Sequence, residues 1–307
     1  MAKNVLVIGG SLFAGRVFCI QASKSGRFNL HVVNRGNFPM EFERVTQYKC
    51  GRNSPRMIAW LTPDIEYDAL VDFCAYNPGE IAPMIEALRG RIKQYIFLST
   101  ARVYAPGAEP PDEASPILTP EDAKVRRHAV YDNPSGKIEL ERELADACAK
   151  AGIEYTILRP AFIYGPLNYV ARESFFIEKI AKKHVVPVPA DSTSRFNFVY
   201  VLDVAAAIIA CIGERKAFGE TFNLSGPEAV TYKALISDFE RFNSGPFETK
   251  EITVAEALDK KMPFLLPLVE DILVDGEKIT KTLNFKYTPF SEGMENTFRT
   301  FYSLFTS

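Results

Sequence analysis

The chain begins with a short apolar run, Val5–Ile8, that leads directly into the glycine-rich segment Gly9–Gly15 and then into a helical pattern. Through the first half of the chain, further runs rich in β-branched residues alternate with helical patterns. This alternation is typical of βαβ units, whose parallel strands form a sheet covered by helices on both faces. The sequence therefore predicts an α/β protein with a doubly wound parallel sheet. The predicted strands are Asn4–Ile8, Leu30–Asn34, Ala69–Phe73, Gln94–Ser99 and Glu154–Leu158.

Two helical patterns between these strands end at glycines. Phe13–Ser23 is followed by Gly26, and Ile81–Leu88 is followed by Gly90. A glycine just after the last helical residue is the usual left-handed cap of a helix C-terminus.

The pattern changes after Pro160, where shorter elements follow and a smaller second region is expected. We predict a dinucleotide-binding type of domain over residues 1–165 plus about 196–226, and a smaller domain over 166–195 and 227–307. The segment Phe198–Val201, with Asp203 as a helix N-cap, is expected to return to the main sheet. The smaller region is expected to contain a strand-like stretch at Val185–Pro189 and an amphipathic helix at Ser291–Phe305.

Length and composition exclude several classes of protein. At 307 residues with 47% hydrophobic and 24% charged residues, the chain is predicted to be globular and large enough for two domains. The net charge of −2 provides no overall attraction to nucleic acid or to anionic membranes. The longest apolar run, Val204–Ile212, is far shorter than the roughly 20 residues that span a bilayer. We therefore expect a cytoplasmic protein without membrane partners, and we leave a homodimer open.

Cysteine and histidine usage argues against metal and disulfide chemistry. The five cysteines are widely spaced and never form a Cys-x-x-Cys motif, and the three histidines share no helix-turn spacing. Neither a metal centre nor a Ser-His-Asp triad is indicated.

The glycine-rich segment has the context of a dinucleotide-binding loop, because it joins a strand to a helix. Glycines there let the backbone approach a pyrophosphate, and the helix N-terminus offers N–H groups to it. Leu12 occupies the middle position of the G-x-x-G-x-x-G pattern, so a tight turn without a ligand is the alternative. The predicted cofactor-binding residues of the loop are Gly9, Gly10, Ser11, Leu12, Phe13 and Gly15.

Asn34 and Arg35 end the second predicted strand, where a dinucleotide fold reads the adenosine ribose. A carboxylate at this place accepts bonds from the 2′-hydroxyl, whereas an arginine can pair with a 2′-phosphate. Since the carboxylate is absent, NADP is favoured over NAD. The alternative is that Arg35 is a solvated loop residue.

Seven strings then fall in an order that resembles the extended short-chain dehydrogenase/reductase family, in its NAD-dependent epimerase/dehydratase branch. The resemblance implies a Rossmann-type sheet with an interleaved substrate domain. The strings are Val5–Arg16 (VLVIGGSLFAGR), Ala69–Tyr76 (ALVDFCAY), Tyr95–Tyr104 (YIFLSTARVY), Ser135–Glu141 (SGKIELE), Ile157–Pro166 (ILRPAFIYGP), Phe198–Ala205 (FVYVLDVA) and Phe222–Gly226 (FNLSG).

The resemblance implies three catalytic residues. Thr100 matches the family's serine or threonine that bonds the substrate oxygen, and Lys137 matches the lysine that binds the nicotinamide ribose. The family's Tyr-x-x-x-Lys spacing is broken, since Asn133 stands four residues before Lys137. Tyr131 is the nearest tyrosine, and we expect it to enter the site as the acid/base; otherwise it is a loop aromatic.

Further positions follow from the same resemblance. Gly51 stands where relatives often carry an acid that reads the adenine ring, which weakens adenine recognition. The remaining cofactor contacts implied are Phe73, Cys74, Ala75, Ser99 and Pro160, and the substrate contacts implied are Tyr76, Tyr164, Arg172 and Arg195.

Two functions remain open at this point. The first is hydride transfer at a carbinol or carbonyl carbon of a polar small molecule such as a nucleotide sugar, by an epimerase, dehydratase or reductase. The second is a non-catalytic relative that binds a dinucleotide as a sensor or scaffold, or binds RNA. The broken tyrosine spacing favours the second function, while the lack of net positive charge makes nucleic acid an unlikely partner.

Overall fold

A computed structural model describes residues 2–107, 109–125, 134–243 and 245–307. Its main element is a seven-stranded sheet with the order β10-β6-β5-β4-β1-β2-β3, in which all neighbouring strands are parallel. The strands are β1 Lys3–Ile8, β2 Phe28–Asn34, β3 Val45–Lys49, β4 Ala69–Asp72, β5 Gln94–Leu98, β6 Glu154–Pro160, β7 Phe162–Tyr164, β8 Val186–Pro189, β9 Phe196–Tyr200, β10 Glu220–Leu224, β11 Ala229–Val230 and β12 Thr249–Ile252.

Helices connect most of these strands. They are α1 Phe13–Lys24, α2 Pro55–Leu61, α3 Ala82–Ala87, α4 Pro120–Val125, α5 Pro134–Ala151, α6 Glu173–Ala181, α7 Val201–Cys211, α8 Tyr232–Phe242, α9 Val254–Asp259, α10 Glu277–Leu283 and α11 Phe290–Thr306. In the part of the chain that the structure describes, no helix is both long enough and apolar enough to cross a membrane.

Helices cover both faces of the main sheet, which confirms the predicted doubly wound fold. Because side chains alternate along a strand, Val5 and Val7 of β1 pack with α1 and α7, whereas Leu6 and Ile8 pack with α3 and α5. The five predicted strands are all present in this sheet. The sequence pattern missed β3 and β10, which lie at its two edges.

The expected return of the Phe198–Val201 strand to the main sheet is wrong. This strand, β9, pairs with β7 and β11 in a separate three-stranded sheet. The helix that follows it, α7, nevertheless packs on the main sheet against α1. β10 occupies the sheet edge beside β6 instead.

Asp203 is not the N-cap of α7, a position that Tyr200 occupies. Asp203 lies in the first turn of the helix, where its carboxylate accepts hydrogen bonds from the backbone N–H (2.9 Å) and the hydroxyl (2.8 Å) of Thr288. This side chain therefore connects α7 to the C-terminal part of the chain.

Candidate active site

The turn after β1 requires glycine at three positions. Gly9 and Gly10 have φ angles of 101° and 75°, in the left-handed region that favours glycine. A Cβ on Gly15 would lie 2.7 Å from the Cα of Gly10, so the first turn of α1 packs directly on the loop. This close approach is what a dinucleotide-binding turn uses to place the helix N-terminus near a pyrophosphate.

Leu12 departs from that pattern without strain. Its φ of −131° is extended and suits a leucine, and its side chain is 47% exposed at the start of α1. The first turn of α1 contains no acidic residue and Leu12 provides no side-chain cap, so the positive end of the helix remains available to an anion. Ser11 lies at the bend, and Phe13 contacts Tyr169 edge to face at 6.2 Å.

Unpartnered donors lie at the carboxyl ends of β2 and β3. Asn34 is buried; its Oδ1 accepts from the Gly36 N–H at 2.9 Å and from Gln47 at 2.8 Å, while its Nδ2 has no partner among the described residues. The same holds for the buried Nε of Arg52, which follows β3. Arg35 is exposed and forms no hydrogen bond or ion pair with the described part of the chain. The carboxyl ends of β2 and β3 therefore offer hydrogen-bond donors and positive charge to an anionic ligand.

The loop after β4 lies against the glycine turn. A Cβ on Gly9 would lie 3.3 Å from both Phe73 Cβ and Cys74 Sγ. Burial raises the pKa of the Cys74 thiol to about 12, so this cysteine is a neutral wall of the site. The structure thus brings together the predicted cofactor positions of the two loops.

Lys137, in the first turns of α5, points at the carboxyl ends of β4 and β5. Its ammonium donates to the carbonyl of Ala75 at 2.8 Å and to that of Leu98 at 2.7 Å. Two rings cover the charge, with the Nζ lying 4.5 Å from the ring centroid of Phe97 and 4.9 Å from that of Tyr76. The ring of Tyr76 is 48% exposed and therefore lies on the solvent side of the ammonium.

The surroundings of Lys137 disfavour its charged form. Burial lowers the pKa of the amine to about 8, although Asp72, Cys74 and Glu141 act in the opposite direction. A lysine whose pKa lies near neutrality at strand ends of a sheet is typical of a functional position.

A buried polar network holds the strand end that precedes Thr100. Ser99 donates to Glu141 Oε1 at 2.5 Å, and the same carboxylate receives the guanidinium of Arg159. Arg159 also donates to the phenol of Tyr104 at 2.8 Å, and that phenol donates to Asn223 at 2.7 Å. Since Glu141 lies one helical turn after Lys137, the network fixes α5 relative to β5, β6 and β10.

Thr100 follows this strand directly. Its Oγ1 accepts from the backbone N–H of Arg102 at 3.2 Å, and within the described part of the chain the hydroxyl proton has no acceptor. Pro160 is buried at the end of β6, next to β5 in the sheet. Tyr131, the predicted acid/base, lies outside the described residues.

Three predicted substrate contacts need correction or qualification. Tyr164 is 1% exposed and packs among aromatic rings of the core, so its phenol is not offered to a ligand. Arg172 donates to the Ile163 carbonyl at 2.8 Å and stacks on an aromatic ring. Arg195 forms two bonds to the Asp271 carboxylate, at 2.9 and 2.6 Å. The two arginines are thus each engaged within the fold.

Arg195 nevertheless lines a cavity of about 560 Å³ next to the loop that follows Thr100. Tyr104, Pro134 and Asp271 contribute to the same cavity. Pro134 begins the helix that carries Lys137, so the cavity lies beside the candidate site.

Two charged residues of the site were missed by the sequence analysis. Arg52 and Asp72 form a buried ion pair with Nη2 and Oδ2 2.6 Å apart. The signal available in the sequence was Asp72 itself, an acid at the end of an otherwise apolar strand. Nothing local indicated that Arg52, from another loop, would neutralise it.

Comparison with known proteins agrees with this geometry. The model of the NAD dependent epimerase/dehydratase family matches residues 5–225. The chain belongs to this family. The predicted resemblance and the predicted Rossmann-type fold are therefore both confirmed.

Two relatives from Arabidopsis thaliana are not described as epimerases. The chloroplast stem-loop binding protein of 41 kDa b is 27% identical over 247 residues, which is 76% of this chain and 61% of that protein. Subunit 9 of the mitochondrial NADH dehydrogenase [ubiquinone] 1 alpha subcomplex is 30% identical over 150 residues, 45% of this chain and 37% of the subunit. The match thus spans less than two thirds of either relative.

Solved structures share the fold over nearly the whole chain. The UDP-glucose 4-epimerase of Thermotoga maritima with UDP-glucose has a TM-score of 0.79 at 19% identity, covering 98% of this chain and 99% of that one. The dTDP-glucose 4,6-dehydratase of Bacillus anthracis with NAD also has a TM-score of 0.79, at 15% identity, covering 98% of this chain and 97% of that one. At these identities the likeness concerns the fold alone.

Proposed function

We propose that this protein is an NAD(P)-dependent enzyme that transfers a hydride at a carbinol or carbonyl carbon of a polar substrate. The observation that carries the proposal is the position of Lys137, whose ammonium is held by the Ala75 and Leu98 carbonyls at adjacent strand ends. These strand ends lie on the same edge of the sheet as the glycine turn, where ligands of doubly wound sheets bind.

The residues present fit a dinucleotide. Gly9, Gly10 and Gly15 keep the turn free of side chains, and the start of α1 carries no acid. Asn34 Nδ2 and Arg52 Nε are buried donors without partners in the described chain, on the side where the adenosine half would lie. Leu12 is exposed and does not fill the turn.

Each catalytic residue then has a defined task. A bound nicotinamide supplies the carbon that takes up or gives back the hydride. Thr100 donates its free hydroxyl proton to the substrate oxygen, and Lys137 donates to the nicotinamide ribose. Tyr131 moves the proton that accompanies hydride transfer, because Asn133 cannot do so at neutral pH.

We further propose that NADP is preferred over NAD. Arg35 is exposed and engages no other described residue, so its guanidinium can pair with a 2′-phosphate without breaking an existing bond. Asn34 adds no carboxylate that would repel the phosphate. This preference favours a reductase that exchanges its cofactor over an epimerase that retains it.

The proposed substrate is a nucleotide sugar or a similar polar molecule. The cavity lined by Tyr104, Pro134 and Arg195 has room for such a ligand beside the loop that follows Thr100. Solved structures of the same fold were obtained with UDP-glucose and with UDP-glucuronic acid, which supports this class of substrate.

A second candidate function is dinucleotide binding without catalysis, or RNA binding. Leu12 in a glycine position and Asn133 in the tyrosine position favour it, and one relative is named a stem-loop binding protein. The net charge of −2 argues against the RNA form.

The deciding experiment is to release nucleotides from the purified protein and identify them by mass spectrometry, followed by calorimetric titration with NAD and NADP. We expect retained or exchangeable dinucleotide and a loss of affinity of at least tenfold in Lys137→Met. Lys150→Met, an exposed lysine on the same helix, is the matched control and should bind as the wild type does. No retained nucleotide and no binding at millimolar concentration would reject the proposal.

Turnover separates the two candidate functions. Hydride transfer with a panel of UDP- and dTDP-sugars supports the enzymatic function. Tight dinucleotide binding without any turnover of these sugars or of simple carbonyl compounds supports dinucleotide binding without catalysis.

A further inference from the structure

Two carboxylates hold the loop that connects β4 to α3. Asp72 Oδ1 accepts from the backbone N–H groups of Cys74 (2.9 Å) and Ala75 (3.0 Å). Glu80 Oε2 accepts from those of Tyr76 (2.8 Å) and Asn77 (3.2 Å). Four consecutive N–H groups of the loop are thus bound by side chains from its two ends.

Arg52, from the loop after β3, joins these two carboxylates. Its Nη2 lies 2.6 Å from Asp72 Oδ2, and its Nη1 lies 3.0 Å from Glu80 Oε2. The same Nη1 donates to the backbone carbonyl of Glu80 at 3.2 Å. Asp72 is completely buried and the Arg52 side chain is 10% exposed, so the three residues form an internal ion cluster, here named the Arg52 cluster.

The loop held by the Arg52 cluster carries two of the groups that surround Lys137. The Ala75 carbonyl accepts from the ammonium at 2.8 Å, and the ring of Tyr76 covers it at 4.9 Å. Glu80 accepts from the Tyr76 N–H, which belongs to the same peptide unit as that carbonyl, and Asp72 accepts from the Ala75 N–H of the preceding unit. Arg52 is therefore linked to Lys137 through three successive interactions: with a carboxylate, from that carboxylate to a loop N–H, and from the Ala75 carbonyl to the ammonium.

We propose that Arg52 is a positioning residue for Lys137, which acts by fixing the Ala75 carbonyl and the Tyr76 ring around the ammonium. The role of Lys137 toward a ribose rests on the proposed function, whereas the link from Arg52 to Lys137 rests on the contacts alone. Arg52 lies away from the expected nicotinamide ribose and the reacting carbon. Its Nε, which has no partner among the described residues, faces the side of the adenosine half, so the Lys137 pKa, and not NADP affinity, decides the positioning role.

Loss of Arg52 is expected to raise the pKa of Lys137 through electrostatics. Among the described residues, the charged and titratable groups around Lys137 are Asp72 at the end of β4, Cys74 and Tyr76 in the loop after it, Glu141 on the same helix, and Arg52, whose positive charge opposes protonation of the amine. Without Arg52, Asp72 keeps three hydrogen-bond donors, which are the N–H groups of Cys74 and Ala75 and the Tyr95 hydroxyl at 2.5 Å. The Asp72 carboxylate then favours the charged form of Lys137 without the opposing charge of Arg52.

Opening of the loop between β4 and α3 also raises the pKa of Lys137, because exposure to water removes the burial that lowers it. Both effects predict a rise of the Lys137 pKa from about 8. A purely structural role of Arg52, with the surroundings of Lys137 unchanged, predicts no such rise.

The test compares wild type with Arg52→Gln, and Arg89→Gln serves as the control. The control substitution removes a surface ion pair between Arg89 and Glu86, in which the Arg89 side chain is 65% exposed. The pKa of Lys137 is measured without any ligand, by competitive labelling with acetic anhydride across pH and mass spectrometry of the peptide that contains it. Binding of NADP is measured on the same proteins by calorimetry.

We expect the Lys137 pKa to rise by about one unit or more in Arg52→Gln, a tenfold or larger change in proton affinity, and the NADP dissociation constant to rise about tenfold. Arg89→Gln should change neither. If Arg52→Gln does not fold, Glu80→Gln releases one side of the loop while Arg52 and Asp72 stay paired. It should weaken NADP binding and raise the Lys137 pKa, because the opened loop no longer buries the amine.

An unchanged labelling profile of Lys137 in a folded Arg52→Gln protein, or in Glu80→Gln where the former does not fold, overturns the inference whatever happens to NADP affinity. Failure of the proposed function is distinguishable from this result. If wild type binds no dinucleotide, the proposed function fails, and the labelling profile still decides whether Arg52 controls Lys137.

Discussion

The Glu141 carboxylate accepts two hydrogen bonds from the Arg159 guanidinium, with Nε 3.0 Å from Oε1 and Nη2 2.6 Å from Oε2. Both side chains are less than one tenth exposed. The pair joins α5, which carries Lys137, to β6, and through Ser99 it also holds the end of β5. It therefore fixes the distance between the helix and the strand ends on which the proposed chemistry depends.

Removing one member of this pair is expected to destabilise the fold strongly. Glu141→Gln leaves Arg159 as an uncompensated buried charge, which costs about 3–5 kcal/mol. Urea unfolding measures the loss of free energy. Glu178→Gln, which breaks an exposed pair with Lys182, is the control and should cost less than about 1 kcal/mol. Equal, small losses in both variants would show that the buried pair contributes no more than a surface pair.

Arg35→Ala should change cofactor choice without changing stability. Loss of a charge-assisted bond to a 2′-phosphate costs about 1.5–3 kcal/mol, which is a tenfold or larger drop in NADP affinity. NAD, which lacks this phosphate, should bind equally to both proteins. Calorimetric titration with the two cofactors checks this, and equal affinities of wild type for NADP and NAD contradict the preference.

Gly51→Asp should strengthen binding of the adenosine half. A Cβ at Gly51 meets no atom within 4 Å and its φ lies outside the left-handed region, so the side chain can be accommodated. One hydrogen bond to the adenine amino group contributes about 0.5–1.5 kcal/mol, roughly a two- to tenfold gain in affinity. The gain should disappear with nicotinamide hypoxanthine dinucleotide, which lacks the amino group. A gain that persists with this analogue assigns the effect to something other than adenine recognition.

Lys137 should make stability depend on pH. Its pKa is lowered by burial to about 8 in the fold against 10.5 for a free lysine, so below pH 8 both folded and unfolded chains carry the charge and the folded state is penalised. Between pH 8 and 10.5 the unfolded chain binds more protons, and stability attributable to Lys137 rises with pH. From pH 7.5 to 9.5 the rise is roughly 2 kcal/mol.

The measurement is the free energy of unfolding in urea at both pH values. The rise should be present in wild type and in the exposed-lysine control Lys150→Met, and it should be absent in Lys137→Met. A parallel pH dependence in all three proteins shows that other groups cause it.

Tyr131→Phe should abolish turnover while leaving dinucleotide binding intact, because the change removes only the proton that accompanies hydride transfer. Single-turnover oxidation or reduction of the cofactor measures the effect, and a loss of 10²-fold or more is expected. Tyr302→Phe, on the C-terminal helix α11, is the control. Full activity in Tyr131→Phe leaves the proton transfer to another group.

The sequence pattern was enough to predict five of the seven strands of the main sheet and the glycine turn after the first of them. Apolar runs such as Val5–Ile8 and Gln94–Leu98 are long enough and regular enough that burial on both faces is their stable outcome. The glycines of the first turn were recognisable because their backbone conformation and the close approach of α1 exclude a side chain. Lys137 and Thr100 followed from the family resemblance, and the structure places both at this sheet edge.

The contacts between polar groups inside the protein could not be predicted from the sequence. Arg52 and Asp72 come from different loops, and Glu141 and Arg159 from a helix and a strand, so no local pattern predicts that they neutralise each other. Tyr164 lies in a matching string, yet it is buried because the aromatic rings of β9 and α11 pack against it. Periodicity specifies which face of an element is apolar, whereas the partner of a buried charge depends on distances between elements that are far apart in the chain.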